Sequence, residues 1–312
     1  VQLLQRQPLG RDLPDYDLTV ALGAWKFAHL LMPASAMMGV LRLVPIGVAA
    51  VDGAARAIAR PALAAPGADA HKYTRGLLGV VGGAMPGAAL LAARAAQGAG
   101  AGYVKLLAAT AIQAAPELVV DTQPLADALG DSRFMAVLIG PGLGRDSAAR
   151  GRLEAVLAAP APTVLDADAL VLLAPRMLAA RGSPLVATPH EGELLALERA
   201  FACDGTGSKL ERARALAAAA NMVVVAKGAD TVVAAPDGRT ACGWRASAWL
   251  STAGTGDVLA GTIASRLAAG TDPFDAACQG VWLHGEAARL CPPAFTAGEL
   301  ARAMPRAYAA CL

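Results

Sequence analysis

The chain has 312 residues, enough for one large domain or two modest ones, and its 27 Lys and Arg against 25 Asp and Glu leave a formal charge of +2. With no basic cluster, nucleic acid is not an expected partner. Hydrophobic residues make up 55% but aromatics only 4%, so the core is expected to be built from Ala, Val and Leu, as in helices packed closely on a sheet. The five cysteines, Cys203, Cys242, Cys278, Cys291 and Cys311, are scattered and form no C-x-x-C pair. That argues against a zinc ribbon or a disulfide framework and for a reducing, cytoplasmic compartment.

Val1 is followed by Gln, Arg and Asp rather than by a signal-peptide pattern, and the missing initiator Met implies a processed or truncated piece of something longer. Residues 1–60 read as an appendage, too short in regular structure to bury a core of its own. Asp17–Leu22 and Val40–Val48 are short strands, the second interrupted by Pro45, and Ala54–Ala59 is a short helix. Phe27–Val51 is the most apolar stretch, but Pro33, Arg42 and Pro45 break it, so no spanning helix or membrane partner is expected. Arg60–Ala70, with Pro61, Pro66 and Gly67, is a linker.

From His71 the pattern becomes regular. Strands are predicted at Leu77–Val81, Tyr103–Leu107, Leu118–Val120, Ala136–Ile139, Thr163–Leu165, Leu185–Ala187 and Met222–Ala226, with a hairpin formed by Thr231–Ala235 and Thr240–Gly243 around Pro236-Asp237-Gly238. Helices are predicted at Gly87–Gly98, Ala148–Leu157, Leu210–Ala220, Pro273–Leu290 and Gly298–Ala309. Strands alternating with helices argue for an α/β sheet, mostly parallel and covered on both faces. In such sheets ligands bind at the carboxyl ends of the strands.

Polar signals stand at those ends. Gly140-Pro141-Gly142-Leu143-Gly144 is a strand-to-helix turn through which a ligand reaches the backbone, or simply a tight turn. Asp166 and Asp168 straddle one residue after a strand, so one is expected to face the site and the other to cap the helix that starts near Ala169. His190 follows Pro189 in T-P-H-E-G-E and reads either as a ligand contact or as a helix-start residue. Lys227 is a candidate phosphate cation, and His284, inside a helix, a packed core histidine.

The fullest signal is S-T-A-G-T-G-D-V-L-A-G-T-I at Ser251–Ile263. Gly254, Thr255 and Gly256 make a turn with free amides, and Val258, Leu259, Ile263 and Leu267 begin a buried helix. Such a turn favours an anion through both its N–H groups and the helix dipole. Asp257 beside it is placed to take a proton from a hydroxyl, or serves only as a cap. No H-E-x-x-H, G-x-S-x-G or G-K-[ST] occurs.

These strings, with H-K at His71, P-G-A-A-L-L-A-A-R-A-A at Pro86–Ala96, K-G-A-D-T at Lys227–Thr231 and L-H-G-E-A-A at Leu283–Ala288, resemble the NAD(P)H-hydrate dehydratases of the ribokinase-like superfamily. The resemblance covers about residues 70–312. D-L-T-V-A-L-G-A-W-K at Asp17–Lys26 and G-V-L-R-L-V-P-I-G-V at Gly39–Val48 are similar to the tail of the NAD(P)H-hydrate epimerase domain that precedes the dehydratase in bifunctional members. The division implied is 1–60, an epimerase-like remnant, and 61–312, the dehydratase domain. The catalytic parts of the epimerase have no counterpart in this chain as given, so epimerase activity is not expected of it.

The resemblance implies a ribokinase-like fold and cofactor repair: ADP phosphorylates the hydrated nicotinamide ring, and loss of phosphate restores NADH or NADPH and leaves AMP. It makes Asp257 the base and a substrate contact. It makes Gly254, Thr255 and Gly256 the anion hole. Ala88, Gly142 and His190 match hydrate contacts, and Lys227, Gly228, Ala229, Asp230, Thr231 and Gly256 match the nucleotide segment. Mg²⁺ is expected with the diphosphate, with no metal-ligand set of the protein's own. A homo-oligomer, a tetramer among the candidates, is also implied. Two departures stand out: Tyr73 where the family has glycine after His-Lys, and R-A-S-A-W-L at Arg245–Leu250 where it has a Gly-Asn-Pro-like turn. Tyr73 and Trp249 are expected to alter the fit of nucleotide or substrate. A small-molecule alcohol kinase of the same fold and a non-catalytic nucleotide-binding module are the alternatives.

Overall fold

The computed structural model describes residues 14–49, 51 and 53–312. Two strands near its start, β1 (Leu18–Leu22) and β2 (Val40–Val44), pair in parallel with Leu18 opposite Val40 and Leu22 opposite Val44. The short helix α1 (Phe27–Leu30) and a 3₁₀ turn at Ala34–Met37 make the crossover between them. Leu30 is buried in the same apolar cluster as the main domain, and Phe27 and Leu31 pack against it. This appendage is therefore docked.

The main sheet has ten strands: β3 (Arg56–Ala57), β4 (Leu77–Val81), β5 (Tyr103–Leu107), β6 (Val119–Asp121), β7 (Phe134–Ile139), β8 (Thr163–Leu165), β9 (Leu185–Ala187), β10 (Val223–Ala226), β11 (Val232–Ala234) and β12 (Thr240–Cys242). Their spatial order is β3-β12-β11-β10-β9-β8-β7-β4-β5-β6. From β6 to β10 all neighbours are parallel, and β11 runs against both β10 and β12. The turn Lys227–Thr231 reverses the chain from β10 to β11, and the hairpin at Pro236-Asp237-Gly238 reverses it again into β12.

The expected helix at Ala54–Ala59 is instead strand β3, which extends the sheet beside β12. Ile58, 4% exposed, also donates its amide to Cys242 O at 2.8 Å. Pairing with an open sheet edge outweighs the local alanine-rich preference for helix. The main sheet thus begins four residues before the expected boundary at position 60.

Helices cover both faces. One face carries α3 (Leu125–Leu129), α4 (Ser147–Ala158), α5 (Asp168–Leu172), α6 (Glu191–Ala200) and α7 (Lys209–Ala220). The other carries α2 (Pro86–Gly98), α8 (Thr255–Ala268) and α9 (Pro273–Leu290), with α10 (Ala297–Ala309) packed over them. Alternation along the strands divides the core. Val137 and Ile139 join the first face and Leu138 the second, as a two-residue side-chain period requires. No helix among the described residues is long and apolar enough to cross a membrane.

Candidate active site

Three adjacent parallel strands deliver one polar residue each to the carboxyl end of the sheet. Asp166 follows β8, Thr188 follows β9 and Lys227 follows β10. Their side chains meet: Asp166 Oδ1 accepts from Thr188 Oγ1 at 2.6 Å and from Lys227 Nζ at 2.7 Å. Asp166 is 1% exposed, and a carboxylate so deeply buried requires such partners. Glu193 approaches the same ammonium, with Oε2 4.0 Å from Lys227 Nζ. Lys227 also lies close to the glycine turn, 3.5 Å from the position a Cβ on Gly256 would take.

Asp257 stands in the first turn of α8. Burial raises its carboxyl from an ordinary 3.8 to about 7; the Asp166 carboxylate adds to the rise and Lys227 opposes it. A carboxyl poised near neutrality is suited to general-base work. The turn before it needs glycine at Gly254, which has φ +90° and whose Cβ would sit 2.9 Å from Ala297 Cβ and 3.0 Å from Leu91 Cδ1.

The helix start is held from behind. Thr255 Oγ1 donates within its own loop, 2.8 Å from Leu250 O and 2.9 Å from Thr252 O. His284 Nε2 lies 2.9 Å from Thr255 O. Burial lowers His284 to about 4, so the ring is neutral near pH 7 and Nε2 carries the donated proton. The first amides of a helix lack intrahelical partners, which leaves Gly256 and Asp257 amides pointed out of the helix end. Of the three amides expected in the anion hole, that of Thr255 has a protein partner, donating to Thr252 O at a long 3.4 Å.

The expected division of labour between Asp166 and Asp168 needs correcting. Neither side chain caps α5, whose N-cap is Ala167 at φ +46°. Asp168 accepts from Gly144 N at 3.0 Å and Arg145 Nε at 2.7 Å. It pins the Gly-Pro-Gly loop because β7, which the loop leaves, neighbours β8. That loop places Gly142 at φ +61° against the start of α2. A Cβ there would fall 2.2 Å from Met85 O and 3.1 Å from Ala88 Cβ. Gly142 and Ala88 are therefore neighbours.

His190 caps α6. Its Nδ1 accepts from Gly192 N at 3.0 Å and Glu193 N at 3.3 Å, and His190 N in turn donates to Glu193 Oε2 at 2.8 Å. The ring is largely exposed, with Nε2 3.4 Å from Glu193 Oε1 while Nδ1 holds the helix. In the Lys227–Thr231 segment, Asp230 turns inward. It is 6% exposed, pairs with Lys209 and accepts from Met32 N at 3.0 Å. The backbone of this loop, not the Asp230 carboxylate, faces outward.

Tyr73 is not near this site. It precedes β4 and so lies at the amino end of the sheet, edge-on to Tyr103 at 5.8 Å and accepting from Arg133 Nη1 at 3.0 Å. It cannot crowd a ligand at the opposite end. Trp249, 50% exposed, does lie in the 3₁₀ turn that leads to Gly254. Thr188 and Glu193 join the cluster around Asp166 and Lys227, and the sequence alone does not single them out. Thr188 follows β9 directly and Glu193 lies in the first turn of α6, both within T-P-H-E-G-E, which is the available signal.

The sequence profile of the NAD(P)H-hydrate dehydratase family matches residues 78–307. An ADP-dependent (S)-NAD(P)H-hydrate dehydratase of Neisseria meningitidis serogroup B is 40% identical over 235 residues, 70% of this chain and 78% of that protein. A bifunctional NAD(P)H-hydrate repair enzyme of Mycobacterium leprae is 34% identical over 284 residues, 88% of this chain. The chain spans 58% of the length of that bifunctional relative. Among solved structures, the ADP/ATP-dependent NAD(P)H-hydrate dehydratase of Bacillus subtilis, co-crystallised with ATP and Mg²⁺, matches with a TM-score of 0.68 at 30% identity, over 80% of this chain and 95% of that one. A ribokinase-like superfamily protein of Enterococcus faecalis shares the fold, with a TM-score of 0.71 at 23% identity over 85% of this chain and 98% of that one. From the glycine turn, the strand-end residues and the profile that spans them, this chain belongs to the NAD(P)H-hydrate dehydratase family and has the ribokinase-like fold.

Proposed function

We propose that the chain dehydrates (6S)-NADHX and NADPHX to NADH and NADPH at the expense of ADP, releasing AMP and phosphate. The observation that carries this reading is the Asp257 carboxyl, lifted to about 7 at the mouth of a helix and beside Lys227. Hydroxide is a poor leaving group and phosphate a far better one. Asp257 takes the proton of the ring hydroxyl as its oxygen attacks the β-phosphorus of ADP, and the bond from that phosphorus to AMP breaks. Phosphate then departs with the C–O electron pair, a ring proton is lost, and the double bond of the dihydronicotinamide forms.

Phosphoryl transfer needs alignment and charge stabilisation more than covalent help. The Gly256 amide and the α8 dipole provide the second, with the amides of Gly254 and Thr255 at the same turn. Ala88, Gly142 and His190 line the hydrate side. Lys227, Gly228, Ala229, Asp230 and Thr231 form the nucleotide side, Asp230 by its backbone. Asp166 and Thr188 hold the Lys227 ammonium in place.

The residues fit a Mg²⁺ carried by the diphosphate, not one caged by protein. Among the described residues no three His, Cys, Asp or Glu side chains gather as a metal-binding group. Mg²⁺ is commonly held by one or two carboxylates together with substrate phosphates. The ion would neutralise phosphate charge, while Asp166, 1% exposed and engaged by Thr188 and Lys227, stays behind the Lys227 ammonium. Residues 61–312 are the dehydratase unit in this reading, with 1–60 an epimerase-like remnant; the enzyme is cytoplasmic and a homo-oligomer.

The test is incubation with hydrated NADH, ADP and Mg²⁺, following NADH absorbance and AMP. Recovery of NADH with equimolar AMP is expected. A stable phosphorylated product without NADH would replace this reading with an alcohol kinase, and silence with both ADP and ATP would remove catalysis.

A further inference from the structure

We propose that the segment Trp25–Met37 is a clamp that sets the nucleotide loop Lys227–Thr231, so that affinity for a nucleoside diphosphate depends on a part of the chain that does not touch it. This rests on the assignment of that loop to the nucleotide. Asp230 has its two carboxylate oxygens engaged from opposite sides. Oδ1 pairs with Lys209 of α7, and Oδ2 accepts the Met32 amide at 3.0 Å. The side chain is buried, and a buried carboxylate that loses a partner carries a desolvation penalty it can relieve only by turning outward. Turning Asp230 outward displaces the backbone on either side of it, which is the part of the loop left to face the ligand.

The same segment also grips the loop that leads from β12 into the glycine turn. Arg245 Nη1 donates to Ala36 O at 3.0 Å. Trp25 packs edge-on against Trp244 at 4.9 Å, and Trp244 Nε1 donates to Ile58 O at 2.8 Å. Trp244 and Arg245 lie in the stretch that runs from β12 into the glycine turn of α8. Leu30, buried in the main core between these contacts, anchors the segment. Arg245, one of the residues that departs from the family's usual turn, thus has a partner that only the appendage supplies.

Two measurements on the full chain test the clamp. Trp25→Ala and Arg245→Ala leave the ligand-facing residues intact. Each is expected to weaken ADP binding in calorimetry, and to raise KM for ADP, by about fivefold to tenfold, the lower end of ordinary site-to-site coupling. KM for the hydrate, and kcat at saturating ADP, are expected to hold within about twofold. A lowered melting temperature with unchanged ADP affinity would make the segment a plain structural brace and overturn the proposal.

Hydrogen exchange of the unmodified chain needs no variant. Because coupling is reciprocal, ADP should slow exchange of the Met32 amide along with those of Gly228–Thr231. Slowing at the loop alone overturns the clamp but keeps the nucleotide assignment. An unmodified chain that does not bind ADP at all overturns both.

Discussion

The two ends of the central sheet carry similar residues and use them in opposite ways. At the amino end, charges are spread over aromatic rings and solvent. Arg133 lies over Tyr73 at 4.7 Å and Lys72 over Tyr103 at 4.7 Å, while Arg133 also pairs with Asp131 at 2.8 Å. At the carboxyl end, Asp166 and Lys227 are buried against each other and Asp257 is held near its titration point. A cavity of about 340 Å³ beside Arg239 and Phe274 opens at the amino end, and one of about 240 Å³ beside Gly83 and Leu143 opens at the carboxyl end. Room alone does not locate the chemistry; a perturbed carboxyl at a helix mouth does.

The sharpest way to break this contrast is to remove one charge from each end. Asp257→Asn is expected to lower kcat by about 10²–10⁴, the usual worth of a positioned acid–base group. Arg133→Ala and Tyr73→Gly are expected to leave the rate of NADH formation within about twofold, since neither touches substrate or reacting atoms. Comparable losses at both ends would mean that the amino end also bears on catalysis.

Lys227→Met should be the most costly change for folding. It leaves Asp166 buried beside Thr188 without its cation, and breaking a buried pair costs about 3–5 kcal/mol. Denaturant titration reads this directly. The double change Asp166→Asn with Lys227→Met should regain much of the loss.

The third test reads pH. Asp257 is raised in the fold, so between about 4 and about 7 the folded protein holds a proton that the unfolded chain has released. Its contribution to stability is complete at low pH and is lost as pH rises to about 7. Asp257→Asn should therefore stabilise the chain most above pH 7 and least near pH 4, by on the order of 1–3 kcal/mol at pH 8. His284 works in reverse. Lowered from 6.5 to about 4, it contributes above pH 6.5 and is lost as pH falls toward 4. Catalysis should follow Asp257, rising through pH 7 as the carboxylate forms.

Gly142→Ala forces α2 to shift, because its methyl would fall 2.2 Å from the Met85 carbonyl oxygen. The left-handed backbone costs about 1–2 kcal/mol, and the crowding against Met85 and Ala88 should raise KM for the hydrate without changing ADP affinity. A change confined to ADP would move Gly142 to the other half of the pocket.

Much of this was legible in residues alone. Strands that run straight into polar residues marked the carboxyl end, and A-G-T-G-D before a buried helix marked Asp257. The partnership of Asp166 with Thr188 and Lys227, 22 and 61 residues away, was not legible. It depends on β8, β9 and β10 lying side by side, which pattern within a segment does not encode. The same holds for β3, where an alanine-rich stretch becomes a strand because β12 has a free edge. Tyr73 was misplaced for a simpler reason: a residue before a parallel strand lies at the end opposite to one after it. The strands of the appendage were visible in outline, but their docking through Leu30 and Met32 was not.

One contact between helices reaches further than its size. A Cβ on Gly261 would fall 2.1 Å from Ala92 O, so α8 and α2 touch backbone to backbone where they cross. Nothing slides between two rods joined so tightly. Their tips, which hold Asp257 and Ala88, behave as the fixed jaw of a caliper. Facing these tips are the loops that leave β7, β9 and β10, each held by contacts of its own: Asp168 on Gly144, Glu193 on His190 and Asp166 on Lys227. A bulkier residue at Gly261 would splay the fixed jaw and miscalibrate the instrument without touching anything that it measures.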